Sequence, residues 1–148
     1  MHFVTGGAFN GKARWVKTHY RLEAPFEGWL SAYHPALSGE RLEAVDTFHD
    51  VTVIQGFEHY VKELAAVNDG AEAARKRWWN LFVKWKNWEE ETARRRLVVI
   101  GNDISKGVVP VDEKARFWRD LTGWCYQDLV AISDRVDLVW YGIAKQLK

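Results

Sequence analysis

Four mostly apolar runs, His2–Thr5, Val51–Gln55, Leu97–Ile100 and Val136–Tyr141, each stop at a glycine, and stretches far too long for a hairpin separate them. Strands joined in that way pair in parallel, through crossovers of about a dozen residues or more that are usually helical. The intervening stretches supply the helices. From Gly11 onward, Ala13, Trp15, Val16 and Tyr20 recur at helical spacing until Pro25 and Gly28. Phe57, Tyr60, Val61 and Leu64 mark one face of a helix over Phe57–Val67, and Asn68-Asp69-Gly70 reads as a turn. Trp78, Leu81, Phe82, Trp85 and Trp88 form the apolar stripe of a long helix over Ala71–Arg95. Asp112, with Glu113 behind it, caps a helix running to Ser133. Trp29–Tyr33 reads as a short strand, Pro35, Ser38 and Gly39 as a loop, Glu40–Val45 as a helical turn or two, and Gly142 as the start of a short tail. The expectation is an α/β fold, a mostly parallel sheet flanked by helices, in one domain over residues 1–148.

Composition narrows the function classes. Lys plus Arg number 21 and Asp plus Glu 20, for a net charge of +1, which argues against a protein built to coat nucleic acid. No apolar run approaches the roughly 20 residues of a membrane span. The opening MHFVTGGAFNGK lacks the basic and long apolar regions of a secretory signal. A single cysteine, Cys125, excludes an internal disulfide framework and reads as a small buried residue. A cytoplasmic protein is expected. The nine tryptophans call for a bulky core.

The segment Gly6-Gly7-Ala8-Phe9-Asn10-Gly11-Lys12-Ala13 fits the phosphate-loop pattern G-x-x-x-x-G-K, with Ala13 where Ser or Thr is usual. Glycines let backbone N–H groups wrap an anion, the following helix directs its positive end at it, and the lysine reaches the terminal phosphates. A strand before and a helix after give the right context. The alternative is an ordinary glycine-rich turn bearing a surface lysine, and the pattern alone leaves the two even. The hydroxyl that would hold Mg²⁺ in such a loop is missing at Ala13, and Val51–Gln55 ends in a neutral amide, a poorer metal ligand than a carboxylate. A protein-held Mg²⁺ is therefore not expected.

The C-terminal third contains Val98-Val99-Ile100-Gly101-Asn102-Asp103, Gly107-Val108-Val109-Pro110, Ala115-Arg116-Phe117, Arg119-Asp120, Gly123, Gln127, Gly142-Ile143 and Leu147-Lys148. Together with Val4-Thr5-Gly6-Gly7-Ala8 and Gly11-Lys12, these blocks resemble the bifunctional adenosylcobinamide kinase/adenosylcobinamide-phosphate guanylyltransferase family of cobalamin biosynthesis. The resemblance covers residues 1–17 and 96–148 well and residues 51–95 more weakly. It implies a P-loop NTPase-like fold and phosphorylation of adenosylcobinamide with ATP or GTP as substrate. It also implies GMP transfer through a guanylylated histidine, and a homo-oligomer, trimers included. It places the nucleotide on Gly6, Gly7, Ala8, Phe9, Asn10, Gly11, Lys12 and Ala13, with Lys12 as a catalytic residue. Asp103 stands where the family has a strand-end Glu; it is either a catalytic or metal-adjacent carboxylate or a turn cap. The chain departs from the family as a shortened, divergent member: the nucleophilic histidine's position holds Val45, and His34 and His49 lie outside the motif.

The five histidines, His2, His19, His34, His49 and His59, form no zinc-ligand pattern. Residues 71–96 interleave basic side chains with tryptophans, but the tryptophans share the apolar stripe, so packing is favoured over nucleic-acid binding. Trp79 falls off the stripe and is available to an interface or ligand cleft. Two functional readings compete. One is a divergent adenosylcobinamide kinase; the other is a degenerate relative that binds nucleotide or corrinoid as a partner or regulator.

Overall fold

The computed structural model describes residues 1–34, 40–65 and 70–148. Six strands, β1 (His2–Gly6), β2 (Trp29–Ser31), β3 (Val51–Gln55), β4 (Arg96–Asn102), β5 (Arg135–Trp140) and β6 (Ile143–Gln146), form one sheet in the order β2-β3-β4-β1-β5-β6. All neighbours are parallel except β5 and β6. The helices are α1 (Lys12–His19), α2 (Glu40–Glu43), α3 (Phe57–Ala65), α4 (Gly70–Glu90) and α5 (Glu113–Ile132). The mostly parallel α/β architecture is the one expected.

Apolar burial on both faces explains the near-continuous apolar strands. Phe3, Ile54, Leu97, Val99 and Val136 join Trp78, Phe82, Trp85, Leu121, Cys125 and Leu129 in the core that α3, α4 and α5 build. The alternate strand residues Val4, Val53, Val98, Ile100 and Val139 pack with Val16 of α1 and, around them, Trp15, Tyr20, Phe26 and Trp29. The tryptophan stripe of α4 is core as expected: Trp78 and Trp85 are fully buried and Trp88 nearly so. Phe57 meets Trp78 edge to face with ring centroids 4.7 Å apart, a favoured aromatic geometry. Cys125 is buried and its thiol is pushed up to about 12, by burial first and the Asp128 charge second. Trp79 is partly exposed. Among the described residues no helix is long and apolar enough to cross a membrane.

Several boundaries differ from expectation. The long helix ends at Glu90, not Arg95. Glu89, Glu90 and Glu91 crowd its C-terminal end, where the helix dipole disfavours negative charge. Arg95 folds back to donate Nη1 to the Trp88 carbonyl at 2.9 Å. Residues 143–146, expected as tail, form the antiparallel edge strand β6. The strand at Trp29 stops at Ser31, and the helical turns near Glu40 divide into α2 and a 3₁₀ turn, Val45–Thr47. Helix α5 keeps its expected cap, with Asp112 Oδ1 accepting from the Ala115 N–H at 2.8 Å. The loop residues Pro35, Ser38 and Gly39, the end of the helix at Val67 and the Asn68-Asp69 turn lie outside the described residues.

Candidate functional site

The site forms at the C-terminal ends of β1, β3 and β4, the edge where open α/β sheets bind ligands. Pairing of β1 with β4 sets Gly6 beside Asn102. Only glycine fits at position 6: its φ is 146°, and a Cβ there would lie 2.2 Å from the Val139 carbonyl oxygen. The chain then turns through Gly7–Asn10 and enters α1 at Gly11, whose left-handed φ of 85° starts the helix. The β5–β6 turn braces the loop from outside, Gly142 N–H donating to the Asn10 carbonyl at 2.8 Å.

Lys12 bends into the loop rather than out to solvent. It is 6% exposed, and its ammonium donates to the Gly6 carbonyl at 3.1 Å, the Gly7 carbonyl at 2.7 Å and Asn102 Oδ1 at 2.5 Å. An ammonium has three protons, so all three have protein acceptors. An incoming anion must take over at least one of them. Burial lowers the Lys12 pKa below the usual lysine value, and the nearby Glu58 carboxylate opposes that shift.

Glu58, like Asn102, is a site residue the sequence does not reveal. It sits in the first turn of α3, 1% exposed. Its carboxylate accepts from Asn102 N–H at 2.9 Å, Asn102 Nδ2 at 2.5 Å and Tyr33 OH at 3.1 Å. With both Asn102 amide protons and backbone proton directed toward Glu58 and Tyr33, the Asn102 Oδ1 atom is left facing Lys12. Tyr126 completes the cluster by donating its hydroxyl to the Asn102 carbonyl at 2.8 Å. It also explains Gly101, since a Cβ there would sit 2.2 Å from that hydroxyl. Acidic residues are common in first helical turns, where they face the positive dipole end. Nothing local in the sequence separates Glu58 from that ordinary role.

A cleft of about 580 Å³ opens over these groups, lined by the loop from Ala8 through Arg14 together with Tyr33, Gln55, Gly56, His59, Ile100 and Asn102. That volume lies within the usual ligand-pocket range of about 300–1,000 Å³. The expected loop residues Ala8, Phe9, Asn10, Gly11, Lys12 and Ala13 all line it; Gly6 and Gly7 do not, and connect to it through the bonds their carbonyls accept from Lys12. His59, partly exposed, is the cleft histidine among the described residues; His34 and His49 are not in its lining.

Asp103 is not in the cleft's lining. Its Oδ1 accepts from Ser105 N–H at 3.0 Å and Ser105 Oγ at 2.5 Å, and Lys106 Nζ lies 3.6 Å from Oδ2. Burial pushes its carboxyl up, but the Ser105 bonds and Lys106 outweigh that and hold it below the usual aspartate value. This is the geometry of the turn-cap alternative. The donor set does not fit a protein-held magnesium ion. Ala13 offers no side-chain oxygen, and Gln55 Oε1 accepts from Trp29 Nε1 at 2.7 Å. Among the described residues no group of three or more His, Cys, Asp or Glu side chains is placed to hold a metal.

A family model described as cobinamide kinase / cobinamide phosphate guanyltransferase (CobU) matches residues 27–147. The loop Gly6–Ala13 precedes the matched span. Among curated proteins, the bifunctional adenosylcobalamin biosynthesis protein CobU of Salmonella typhimurium strain LT2 is 38% identical over 53 residues. The shared stretch amounts to 36% of this chain and 29% of that protein, so the similarity spans less than a third of the relative's length.

Proposed function

Because the chain belongs to the cobinamide kinase / cobinamide phosphate guanyltransferase family, we propose that its cleft binds a nucleoside triphosphate, ATP or GTP, over the loop Gly6–Ala13. In this reading the protein serves cobalamin biosynthesis in the cytoplasm by phosphorylating a hydroxyl of adenosylcobinamide, as part of a homo-oligomer. The observation that supports the nucleotide assignment is the strand–loop–helix at the sheet's C-terminal edge, with Lys12 lining the cleft and its ammonium held against the loop.

The residues divide the work as follows. Backbone amides of the loop and the first turn of α1 receive the phosphates, because unpaired N–H groups and the helix dipole both favour an anion there. Lys12 exchanges one of its protein acceptors for a phosphate oxygen and balances charge on the transferred group. Asn102 then keeps the lysine from swinging away. No step passes through a protein-held metal. Magnesium enters the cleft only as part of the nucleotide substrate.

A second reading retains nucleotide binding and drops turnover. Ala13, the Gln55–Trp29 hydrogen bond and the three filled protons of Lys12 favour it. Calorimetric titration with ATP and GTP, with and without Mg²⁺, followed by a phosphorylation assay on adenosylcobinamide, separates the two. Binding with turnover supports the kinase, and binding without it supports the second reading. No binding of either nucleotide refutes both.

A further inference from the structure

Beyond the loop and the start of α1, the cleft is lined by Tyr33, Gln55, Gly56, His59, Ile100 and Asn102. A group that receives a phosphoryl from a nucleotide held on the loop must enter against these residues. In the kinase reading that group is a hydroxyl, and its proton has to leave as the oxygen bonds to phosphorus.

Few of these residues can take that proton. Gln55 and Asn102 are amides without a basic nitrogen, and Gly56 and Ile100 carry no polar side-chain atom. Tyr33 already donates its hydroxyl to Glu58 Oε1 at 3.1 Å. Burial first and the Glu58 charge second push that hydroxyl up to about 12, so it is no phenolate base at neutral pH. Glu58 itself lies behind the lining, 1% exposed, its oxygens already accepting from Asn102 and Tyr33. Asp103 is outside the lining and is held by Ser105 and Lys106. His59 is left, with its side chain 42% exposed. Imidazole is the side-chain base suited to neutral pH.

The ring is also held in place. His59 stands in the first turn of α3, where its N–H donates to the Gly56 carbonyl at 2.8 Å. It meets Tyr33 edge to face with centroids 5.2 Å apart, and Trp118 of α5 lies 6.1 Å away. Its Nε2 is 3.6 Å from Glu58 Oε1. That is longer than a hydrogen bond, but a buried carboxylate at this range still attracts the imidazolium formed when a proton arrives. The same Oε1 accepts from Asn102 Nδ2, and Asn102 Oδ1 accepts from Lys12. One chain of contacts thus ties the imidazole to the loop lysine. The charged groups around the ring are Glu58 and Lys62 on α3, the latter 4.8 Å over the Trp118 ring, and Lys12 and Arg14 elsewhere in the cleft lining. Tyr33 and Trp118 are its neutral neighbours.

We propose that His59 is the catalytic base of the phosphoryl transfer. As the acceptor hydroxyl oxygen bonds to the γ-phosphorus, the bond from that phosphorus to the β–γ bridging oxygen breaks. The electron pair leaves on the nucleoside diphosphate, and the hydroxyl proton passes to the His59 imidazole. The ring takes a proton only, never a phosphoryl or guanylyl group. Glu58 is a positioning residue for the ring and, through Asn102, for Lys12. The proposal rests on the kinase reading and extends it. Turnover then needs the neutral imidazole and falls as the ring is protonated.

The test uses the full chain, His59→Gln and His59→Ala, each checked by a melting curve. ATP binding is measured by calorimetry, and phosphorylation of adenosylcobinamide is followed as a function of pH. Wild-type kcat/KM should show an acidic limb between about pH 5 and 8, where histidine changes charge. His59→Gln should bind ATP within twofold of wild type, lose about a hundredfold in kcat and lose the acidic limb. A hundredfold is the low end for a general base, because the loose transition state of phosphoryl transfer asks little of it. Added imidazole should restore part of the activity of His59→Ala, more so as pH rises and the free base accumulates. If His59→Gln keeps kcat within threefold and retains the acidic limb, His59 is not the base, while the kinase reading stands. If both variants lose ATP affinity along with turnover, and imidazole restores nothing, the residue serves binding or structure and the proposal is wrong. If wild type binds ATP without phosphorylating the corrinoid, the kinase reading fails and the base with it, while nucleotide binding stands.

Discussion

Replacing Glu58 tests whether a buried carboxylate governs the loop lysine from across two strands. In Glu58→Ala three donors lose their acceptor: Asn102 N–H, Asn102 Nδ2 and the Tyr33 hydroxyl. Tyr33 is half exposed and water replaces its partner. The two Asn102 donors are only partly accessible, and hydrogen bonds to a charged acceptor are worth about 1.5–3 kcal/mol each. The alanine variant should therefore lose about 3 kcal/mol of stability. Glu58→Gln is the sharper probe, because it keeps shape and one acceptor oxygen. Its new amide must point a donor at one of the Asn102 donors. If Asn102 flips to relieve that conflict, its Nδ2 faces the Lys12 ammonium instead. Either arrangement loosens Lys12, and loss of the negative charge removes the contribution that raises the Lys12 pKa. The glutamine variant should be destabilised by about 1–2 kcal/mol in urea unfolding, since it leaves one donor unsatisfied. Acylation of Lys12, located by mass spectrometry across a pH series, should shift to lower pH. Stability unchanged to within about 0.5 kcal/mol, the ordinary surface range, together with an unshifted Lys12 profile, would refute the chain from Glu58 through Asn102 to Lys12.

His2 predicts a specific acid sensitivity. Its ring is buried between Asp137 Oδ2 at 2.8 Å and the Tyr20 hydroxyl at 2.6 Å, and burial, only partly offset by Asp137, lowers its pKa from 6.5 to about 4. The fold prefers neutral His2, so its contribution is intact above pH 6.5 and is lost as pH falls toward 4. The loss approaches ~3 kcal/mol. Unfolding free energies of wild type and His2→Gln should converge over that window; parallel curves would contradict this. Nucleotide affinity should depend little on Mg²⁺ in the wild type. Ala13→Ser combined with Gln55→Asp should introduce Mg²⁺ dependence beyond the sum of the single changes, because both oxygens address one ion. Gln55→Asp alone should lower stability by about 1 kcal/mol through loss of the Trp29 hydrogen bond. Strong Mg²⁺ dependence in the unaltered protein would show that another carboxylate serves the metal. Incubation with labelled GTP should leave no acid-labile label, because the family resemblance sets Val45 where the nucleophilic histidine is expected; an adduct mapped to His34, His49 or the cleft histidine His59 would overturn that expectation.

What could be read in advance was whatever the chain encodes over a few consecutive residues. The apolar runs of β1, β3, β4 and β5 announce strands buried on both faces, and the α4 tryptophan spacing announces a packed stripe. The G-x-x-x-x-G-K pattern marked the loop, and Asp112 marked the start of α5. Strand β6 escaped notice because Ile143–Gln146 is an exposed edge with no apolar run. Its turn also carries Tyr141 where a hairpin usually shows asparagine or aspartate.

Glu58 and Asn102 escaped for a deeper reason. A strand with one wet face shows alternation, and a slip of one residue would expose its apolar side, so its register is constrained by pattern. Strands covered on both faces carry no such alternation: Leu97, Val98, Val99 and Ile100 are all buried. Nothing in that run says which of its residues stands beside Gly6. Yet the register decides the site. Shift β4 by one residue and Gly6 faces Gly101 or Asp103, and the amide that Glu58 orients against Lys12 is lost. Close approach to other elements constrains each strand at its end instead. Gly101 alone leaves room for the Tyr126 hydroxyl, and Gly6 alone leaves room for the Val139 carbonyl. Two glycines that look like ordinary strand ends in the sequence thus seat β4 against α5 and β1 against β5, and the pairing of Gly6 with Asn102 brings that amide to the lysine.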